Sequence, residues 1–413
     1  MVRRKRRVKI ELEVEIPEAA TLDEMEELID QAGQEAKRKA LEGANQQEGE
    51  RPEQCHCGGA LESKGRADLT VRTVFGTVVL PRHRYRCREC GEFVYNWERT
   101  ELERRLSRRL RKLAGWCGIS WPLERAAEMI EGLTGADVSP KEIQLILEET
   151  GREAEGVEEE RVEAIWEGRS EAPEPGEVPG GRFYVQWDGC WVSSRERKGG
   201  MEGKVAVLWW DRDRLKKGKR GMILEKRHVA GFCGSEELGK RTYATAYQMG
   251  VEQADEVVVM GDGAKWIWNQ QEMHFPRAKK ILDWWHLQRK VREEAKKMLG
   301  EDEGDELGEE VVELLWEGGL GEVLSCLKGL DLSAATEEAR EARRKLIGYL
   351  RGNREGIGNY GELQEEGYLI GTGVVEKGCA VVIVRRQKKQ GMVWSRMGAH
   401  LVTILRSLFL NGE

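Results

Sequence analysis

The sequence predicts an α/β protein with a mixed sheet in its carboxyl-terminal half and a smaller, cysteine-bearing region before it. The first observation is a set of apolar segments with the composition of strands, at 182–187, 204–210, 222–229 and 256–260. The second is a helical pattern near 235–253, which separates three expected hairpin strands from the fourth strand. The third is a largely helical stretch at 284–350, whose acidic middle indicates an inserted segment. Elements in this order favour a mixed sheet with helices on its faces.

Length and charge limit the kind of protein further. A chain of 413 residues is long enough for several domains and at least one sizeable core. The formal net charge of −7 argues against a uniformly basic nucleic-acid binder, but the charges are segregated. Basic runs lie at 3–7, 82–88, 104–112 and 385–389. A single run of this kind is usually a solvated helix face, whereas several in one chain favour contact with phosphates.

Hydropathy and cysteine content predict the compartment. The sequence has no apolar stretch of membrane-spanning length, so we expect a soluble protein without a membrane partner. Nine cysteines without a secretion signal indicate a reducing environment, in which metal binding is favoured over disulfides. We therefore expect a cytoplasmic protein.

Residues 1–50 are expected to contain one strand and one helix. Residues 8–16 alternate charged and apolar side chains, as an amphipathic strand does. Residues 22–42 carry a helical pattern that begins after Thr21, a typical capping residue.

Residues 51–98 are predicted to form a zinc-ribbon-like domain. Residues 67–87 read as two strands joined by a turn near Gly76. Two cysteine pairs flank this hairpin: Cys55 with Cys57, and Cys87 with Cys90. Two turns brought together by strands can present four thiolates tetrahedrally, so the pattern predicts one structural zinc ion. Unpaired structural cysteines are the alternative.

The first cysteine pair has an unusual spacing. Only His56 separates Cys55 from Cys57, whereas the second pair has the usual two intervening residues. Either the first turn is distorted, or His56 replaces one of the thiolates.

Residues 99–160 are expected to be a helical DNA-binding region. Residues 123–149 read as a helix, a glycine-containing break, and a second helix opened by Ser139, which resembles a helix-turn-helix. An ordinary helical hairpin is the alternative. The basic side chains expected to contact DNA phosphates here are Arg104, Arg105, Arg108 and Arg109. The proline- and glycine-rich residues 161–181 are predicted to be a linker.

The segment VVVMGDGAKWIW, residues 257–268, ends an apolar strand with Asp262 between two glycines. A strand of this composition suits the centre of a sheet covered on both faces, and such strands present functional groups at their carboxyl ends. Gly261 and Gly263 would let a metal ion or a DNA backbone come close. The alternative is a tight turn in which Asp262 caps the next helix.

Two further carboxylates fit the same site. The apolar strand FYVQWDGCW reaches Asp188 in the same way. Glu376 is expected on a helix within 368–394 that Thr372 could cap, although the β-branched run Val381–Val384 would also suit a strand. Two aspartates at strand ends and a glutamate on a packing helix can hold two Mg²⁺ or Mn²⁺ ions about 3.5–4 Å apart. The basic residues expected to meet DNA phosphates beyond it are Arg385, Arg386, Lys388 and Lys389.

These motifs together resemble a known family. The ordered set WDG, GDGAKWIW, FPRAKKILDWWH and IGTGVVEKG…RRQKKQGMVWS is similar to the bacterial DDE insertion-sequence transposases of the ISKra type, distantly related to Mutator-like elements. The resemblance covers most of the chain, including its cysteine-bearing part. It implies an RNase H-like catalytic domain at 182–413, with a helical insertion at about 290–360. It also implies that Asp188, Asp262 and Glu376 are the catalytic, metal-binding triad.

The resemblance extends to a second pair of residues. Asp283 and His286 match the Asp-x-x-His element that follows the second catalytic aspartate, and they share a helix face. An auxiliary role near the cleaved DNA end is implied for them. The alternative is a helix-capping aspartate and a core histidine. The sequence departs from the family pattern in the short Cys55–Cys57 spacing and at Gly378, where a better helix former is expected.

The implied activity is binding of element ends, cleavage of DNA, and joining of the 3′ hydroxyl to target DNA. The implied partners are double-stranded DNA, as element ends and as target, and further copies of the chain in a homodimer or higher oligomer. The protein would be nucleoid-associated when bound to DNA. A repair or junction nuclease on the same fold, and a domesticated DNA-binding protein with a vestigial site, are the alternatives.

Overall fold

The computed structural model describes residues 8–44, 51–96, 102, 104–171, 173–174, 180–217, 220–389 and 391–413. The chain divides into two compact units, with the boundary between Glu149 and Thr150. Within the described ranges, no helix is both long and apolar enough to cross a lipid bilayer.

The first unit contains three helices and two small sheets before the boundary. Its elements are α1 Leu22–Ala44, β1 Leu61–Arg66, β2 Leu69–Thr73, β3 Gly76–Leu80, β4 His83–Cys87, β5 Phe93–Tyr95, α2 Arg108–Ser120 and α3 Leu123–Thr134. Strands β1, β4 and β5 form one antiparallel sheet in the order β1-β4-β5, and β2 pairs with β3 in a separate hairpin. The expected turn near Gly76 is confirmed, and Gly76 takes a φ of 86°.

Helix α4, Pro140–Trp166, begins in the first unit and continues past the unit boundary. Ser139 and Glu142 form a capping box, in which the Glu142 N–H donates to Ser139 Oγ and the Ser139 N–H donates to Glu142 Oε2, both at 3.2 Å. Arg72 binds the same Glu142 carboxylate through both terminal nitrogens, and this contact lowers the pKa of Glu142 to about 2. A helical hairpin with a glycine break at Gly135 is therefore present.

The second unit is built on a five-stranded mixed sheet. Its strands are β6 Arg182–Val192, β7 Met201–Trp210, β10 Arg227–Gly231, β11 Glu256–Gly261 and β12 Lys279–Leu282, and a small hairpin is formed by β8 Arg214–Lys217 and β9 Arg220–Ile223. The strand order is β10-β7-β6-β11-β12, with β10, β7 and β6 antiparallel and β6, β11 and β12 parallel. The protein is thus α/β with a mixed sheet, as the sequence predicts.

Helices cover both faces of this sheet. The helices between β10 and β12 are α5 Ser235–Gln248 and α6 Lys265–His274. Trp187 Nε1 donates to Thr242 of α5, whereas the adjacent Gln186 accepts from the backbone N–H of Val375 on a different helix. Since neighbouring strand residues point to opposite faces, these two contacts place helices on both sides of β6.

A helical segment separates β12 from the last part of the chain. It comprises α7 Trp284–Leu299, α8 Glu301–Trp316, α9 Leu320–Gly329, α10 Glu337–Gly352 and α11 Tyr360–Glu365. Its apolar positions continue the core of the sheet without a break. The Tyr360 hydroxyl donates to Leu282 O at 3.0 Å, so the segment is tied to the end of β12.

The chain ends in helices that pack on the sheet. Helix α12 Gly373–Cys379 runs into a π-helical stretch, Ala380–Val384, and then α13 Arg385–Gln387; α14 Arg396–Asn411 follows. The helical interpretation of this region is confirmed over the strand alternative. The valine-rich run that suggested a strand is the π-helical stretch, a feature often found next to functional sites.

Four details of the sequence prediction are wrong. Residues 8–16 form no strand; Val8, Ile10 and Leu12 are exposed, and no partner strand pairs with the described residues there. Residues 67–87 hold three strands instead of two. The single strand expected at 222–229 is split by a bend. Helix α4 ends at Trp166, beyond the expected start of the linker at 161.

Candidate functional site

The four predicted cysteines lie together at one end of the first unit. The Sγ atoms of Cys55, Cys57, Cys87 and Cys90 all lie within 4.8 Å of one another. Cys55 Sγ is 3.6 Å from Cys90 Sγ, and Cys57 Sγ is 3.5 Å from Cys87 Sγ. A tetrahedron with metal–sulfur bonds of about 2.3 Å has edges of about 3.8 Å, so the four thiols could hold a metal ion.

The short spacing of the first pair is accommodated by its turn. The Gly58 N–H donates to Cys55 O at 2.8 Å and the Cys55 N–H donates to Gly59 O at 3.1 Å. Cys57 is therefore a member of the cluster. His56 is outside the four-atom group: its Nδ1 lies 3.5 Å from Cys55 Sγ, and its Nε2 lies 3.2 Å from a carboxylate oxygen of Glu92.

The two cysteines of the second pair differ in how readily they ionise. The N–H groups of Cys90 and Glu89 lower the pKa of Cys87 to about 6. At Cys90 the Glu92 N–H acts in the same direction, but the neighbouring Cys57 thiol and burial outweigh it and raise the pKa to about 12. Four thiols this close cannot all ionise alone, and a bound cation would remove that conflict.

Asp188 and Asp262 are level with each other on two neighbouring parallel strands. Asp262 directly follows β11, whereas β6 continues to Val192, so the expectation that its strand ends at Asp188 is wrong. Met260 of β11 is opposite Gln186 of β6, so Asp262, two residues later, is level with Asp188. Burial raises the pKa of Asp188; the Gly189 N–H opposes this, and the negative charge of Asp262 adds to the increase. The sheet thus brings two predicted carboxylates together, in a setting that disfavours the charged form of Asp188.

Glu376 belongs to a stripe of side chains along one face of α12. Thr372, Glu376 and Cys379 are spaced by four and three residues, which places them on the same helix face. Cys379 Sγ lies 3.7 Å from Asp188 Oδ2 at one end of the stripe, and Thr372 contacts Asp283 at the other. Glu376 therefore lies between the aspartate pair and Asp283, and it is exposed to solvent.

Asp283 and His286 form the other side of the site. The ligand atoms of Asp283, His286 and Glu376 all lie within 4.8 Å of one another, a group that could hold a metal ion. Asp283 is fully buried and begins α7, where its Oδ1 accepts from the N–H groups of Trp285 and His286 at 2.6 and 3.0 Å. Its Oδ2 accepts from Thr372 N at 2.8 Å and lies 3.2 Å from His286 Nδ1. Asp283 is thus a capping residue that also holds Thr372 and His286 in place.

His286 is only partly buried, so the core-histidine alternative is wrong. The Asp283 carboxylate raises the pKa of His286, and burial opposes this. Asp262 also contributes to the increase, which links this histidine to the aspartate pair. With both oxygens of Asp283 engaged, the groups left for a ligand are Glu376, Asp188, Asp262 and His286.

The donor set fits hard divalent cations. Within the described part of the chain, no lysine or arginine forms an ion pair with Asp188, Asp262 or Glu376. A half-buried aspartate pair without a protein cation would be stabilised by a positive charge from elsewhere, and carboxylate oxygens prefer Mg²⁺ or Mn²⁺.

The glycines around this site serve close packing. A Cβ at Gly261 would lie 2.8 Å from Ile267, and one at Gly263, where φ is 94°, would lie 2.9 Å from Asn353 and Tyr349. The expectation that these glycines leave room for a metal or DNA is therefore wrong. Asp262 Oδ1 does accept from the Ala264 N–H at 2.9 Å, as in the turn-and-cap alternative, which leaves its second oxygen open. Gly378 is explained likewise: its Cβ would meet Val207 at 2.7 Å, because α12 crosses β7 closely.

The predicted phosphate-binding residues divide into accessible and engaged ones. The accessible ones have exposed side chains: Arg105, Arg108, Arg109, Arg385, Lys388 and Lys389. Arg104 donates to Glu149 at 3.0 Å, so its charge is already paired. Arg386 is a correction: it is 1% exposed and lies over the ring of Trp394, so it cannot reach phosphates. The basic run at 3–7 lies outside the described residues.

Two positioning residues were missed by sequence reasoning. Buried Gln186 accepts from Val375 N at 3.0 Å and donates to Gly371 O at 3.1 Å, and so fixes the start of the helix that carries Glu376. The Tyr349 hydroxyl donates to Asp262 O at 2.9 Å. Gln186 could have been found by strand alternation, since it shares a face with Asp188. Tyr349 is on α10 and carries no local signal.

Comparison with known proteins places the chain in a family. The model of an uncharacterised protein family, UPF0236, matches residues 18–413, so the chain belongs to that family. No curated protein matches the chain significantly.

Proposed function

We propose that this member of UPF0236 is a DDE-type transposase that binds insertion-sequence ends, cleaves DNA phosphodiester bonds and joins the 3′ ends to target DNA. The observation that carries the proposal is the placement of Asp188 and Asp262 level with each other on neighbouring parallel strands. Glu376 is on α12, whose Cys379 contacts Asp188, and its carboxylate lies within 4.8 Å of the ligand atoms of Asp283 and His286. Three carboxylates held in this way suit two-metal-ion phosphoryl chemistry.

The topology of the sheet supports an RNase H-like catalytic domain. Three antiparallel strands followed by two parallel strands, in the order β10-β7-β6-β11-β12, place the first and fourth strands side by side at its centre. The helical segment of α7 to α11 would then be the insertion between the second and third catalytic carboxylates. Fold alone does not decide function, so the argument depends on the site.

In this proposal each residue of the site has a defined role. Asp188, Asp262 and Glu376 would hold two Mg²⁺ or Mn²⁺ ions, which would activate the attacking oxygen and stabilise the leaving oxygen of the phosphodiester. Gln186 and Tyr349 keep the backbone of the helix and of the Asp262 turn in register. Asp283 fixes the His286 ring beside Glu376, where a protonated imidazole would sit close to the phosphate of the cleaved end.

The cysteine cluster would have a structural role. Four thiolates close a tetrahedral zinc site to substrate, so one zinc ion would stabilise β1, β4 and β5 and take no part in chemistry. The exposed arginines before and in α2 would then contact the phosphates of element-end DNA, and Arg385, Lys388 and Lys389 those near the active site. Joining two ends to one target would require a homodimer or higher oligomer on DNA.

The test is a cleavage and strand-joining assay on DNA that carries the inverted ends of the element, with Mg²⁺ or Mn²⁺. The parent should cut and join, and Asp262→Asn should lose both by several orders of magnitude while still binding the duplex. Cleavage without joining would favour a nuclease. Parent-like activity of Asp262→Asn would overturn the two-metal proposal, and an inactive parent that binds ends would favour a DNA-binding protein with a vestigial site.

A further inference from the structure

A second surface of the second unit lies where β6 ends and β7 begins. The loop between these strands, 193–200, encloses a cleft of about 640 Å³. Its lining includes the exposed Trp191, the cationic side chains Arg195, Arg197, Lys198 and Lys388, and a single carboxylate, Glu196. A cleft of this size with an aromatic wall is in the range of small-ligand sites.

The cleft is held open by backbone contacts. The Trp394 N–H donates to Ser193 O at 3.1 Å, and the Arg195 N–H donates to Trp394 O at 2.9 Å. Trp394 is in turn held by Arg386, which lies over its ring, and by the hydrogen bond from its Nε1 to Gln387 O. The loop is therefore fastened to the end of the helix that carries Glu376, and the buried Arg386 acquires a structural role.

The charge of the cleft is available to a ligand. The described residues include no ion-pair partner for Arg197, Lys198 or Lys388, and all three side chains are exposed. Glu196 is directed elsewhere, because its Oε1 accepts from the Arg396 N–H at 3.2 Å. The surface thus offers three cationic side chains, which can bind phosphates, beside one exposed indole, on which an unstacked base can lie.

The position of Trp191 relates this cleft to the carboxylate site. Trp191 is 56% exposed, although tryptophan is usually highly buried. It lies three residues after Asp188 on the same strand, on the order of 10 Å away at the usual rise per residue. Because they are three residues apart, the two side chains point to opposite faces of β6, so one DNA strand would contact both only by passing over the loop 193–200 at the end of the strand.

We infer that this cleft binds unpaired nucleotides of a DNA strand next to the bond that is cut, with a base stacked on Trp191 and phosphates on Arg197, Lys198 and Lys388. The inference rests on the proposed function for the identity of the strand. Aromatic stacking with a cationic groove is the general mode by which proteins bind single strands without sequence preference. A fully paired duplex offers no free base face, so single-stranded DNA should bind this cleft in preference to blunt duplex.

The experiment uses the full-length protein and a short single-stranded DNA that contains 2-aminopurine, whose fluorescence falls on stacking. The parent should bind and quench the probe. Trp191→Ala should lose quenching and about 5- to 100-fold in affinity, and Trp191→Phe should restore most of both. Arg197→Ala combined with Lys388→Ala should keep quenching at saturation but lower the salt slope of binding by about 0.7 per lost contact.

Trp166→Ala is the matched control, because Trp166 is 49% exposed and lies among acidic residues at the end of α4. It should behave like the parent. Equal binding and quenching by Trp191→Ala, or no single-strand binding by the parent, would overturn the inference, as would tighter binding of the RNA oligonucleotide of the same sequence. The assay needs no cleavage, so the two proposals can fail separately. If the parent cuts no DNA but Trp191→Ala loses binding, the cleft is supported and the transposase proposal is refuted. If the parent cuts DNA but Trp191→Ala binds like the parent, the transposase proposal is supported and the cleft is refuted.

Discussion

The cysteine cluster and the carboxylate site both gather anionic ligands, but they are built in opposite ways. The four thiols come from two turns of one small sheet, whose apolar support is limited to Cys55, Leu61, Tyr85, Cys87 and the partly buried Val94. The carboxylate site takes its groups from strands, a capping turn and a helix that are far apart in sequence. Those elements rest on one large core that runs through the whole sheet and the helical insertion.

The cysteine cluster and the carboxylate site therefore differ in what they need in order to form. With a metal ion bound at the cysteines, a small sheet with little apolar burial would depend on that ion for folding, since the binding free energy of the ion becomes folding free energy. The carboxylate site is assembled by hydrophobic packing, so it should keep its shape without any ion. Metal removal should therefore unfold the first region and leave the second folded but inactive.

The largest expected effect is loss of the cluster metal. Cys87→Ser in the full chain should abolish one bound zinc and make residues 51–96 sensitive to protease, because structural zinc contributes about 10–16 kcal/mol in zinc-finger peptides. The measurement is metal content with limited proteolysis. Cys326→Ser, at a partly exposed thiol outside the cluster, is the control and should keep both zinc and protection. Zinc retained in Cys87→Ser would show that the four cysteines do not hold it.

The next effect concerns Asp283. Asp283→Asn keeps the size of a fully buried side chain but turns one acceptor into a donor that faces Thr372 N and Thr372 Oγ1. We expect a loss of about 2–4 kcal/mol in the free energy of unfolding of the second unit, with zinc content unchanged. Denaturant unfolding followed by tryptophan fluorescence measures it. A change below about 0.5 kcal/mol would show that the capping contacts contribute little.

The sequence predicts those parts of the two sites whose pattern is local in the chain. The cluster of Cys55 to Cys90 and the strand end before Asp262 could be predicted because spacing and apolar runs are local features. The predicted end at Asp188 was wrong, because pairing with β7 extends β6 to Val192. The strand expected at 8–16 failed because alternation needs a partner strand that local sequence does not supply. Arg386 was misassigned because adjacent helix residues point about 100° apart, so a basic run cannot all face one ligand.

Glycines 373 and 378 give a matched pair on the helix that carries Glu376. A Cβ at Gly378 would meet Val207 at 2.7 Å, whereas nothing lies within 4 Å of one at Gly373. Gly378→Ala should destabilise the second unit by about 1–3 kcal/mol through overpacking and displace Glu376, and Gly373→Ala should not. Thermal unfolding compares the two variants. Equal stabilities would mean that α12 can shift on the sheet without loss.

The smallest effect is a pH dependence at His286. Asp283 raises the folded-state pKa of His286 above its ordinary value of 6.5. The contribution of protonated His286 to the free energy of unfolding is therefore fully present below about pH 6.5. It is lost as the pH rises through the raised pKa. His286→Gln should therefore cost more stability at pH 5.5 than at pH 9, by on the order of 1 kcal/mol. An equal loss of stability at both pH values would show that the charged contact between His286 and Asp283 does not contribute to stability.

In the proposed function, Asp188, Asp262 and Glu376 form one metal site although they come from separate elements. The most direct test is Mn²⁺ binding to the zinc-loaded, full-length protein, followed by electron paramagnetic resonance. We expect the parent to bind Mn²⁺ and the variants Asp188→Asn, Asp262→Asn and Glu376→Gln to bind it much more weakly, all with unchanged folding. We also expect no change in Asp255→Asn, at the opposite end of β11. Parent-like Mn²⁺ binding by all three variants would contradict the proposed metal site.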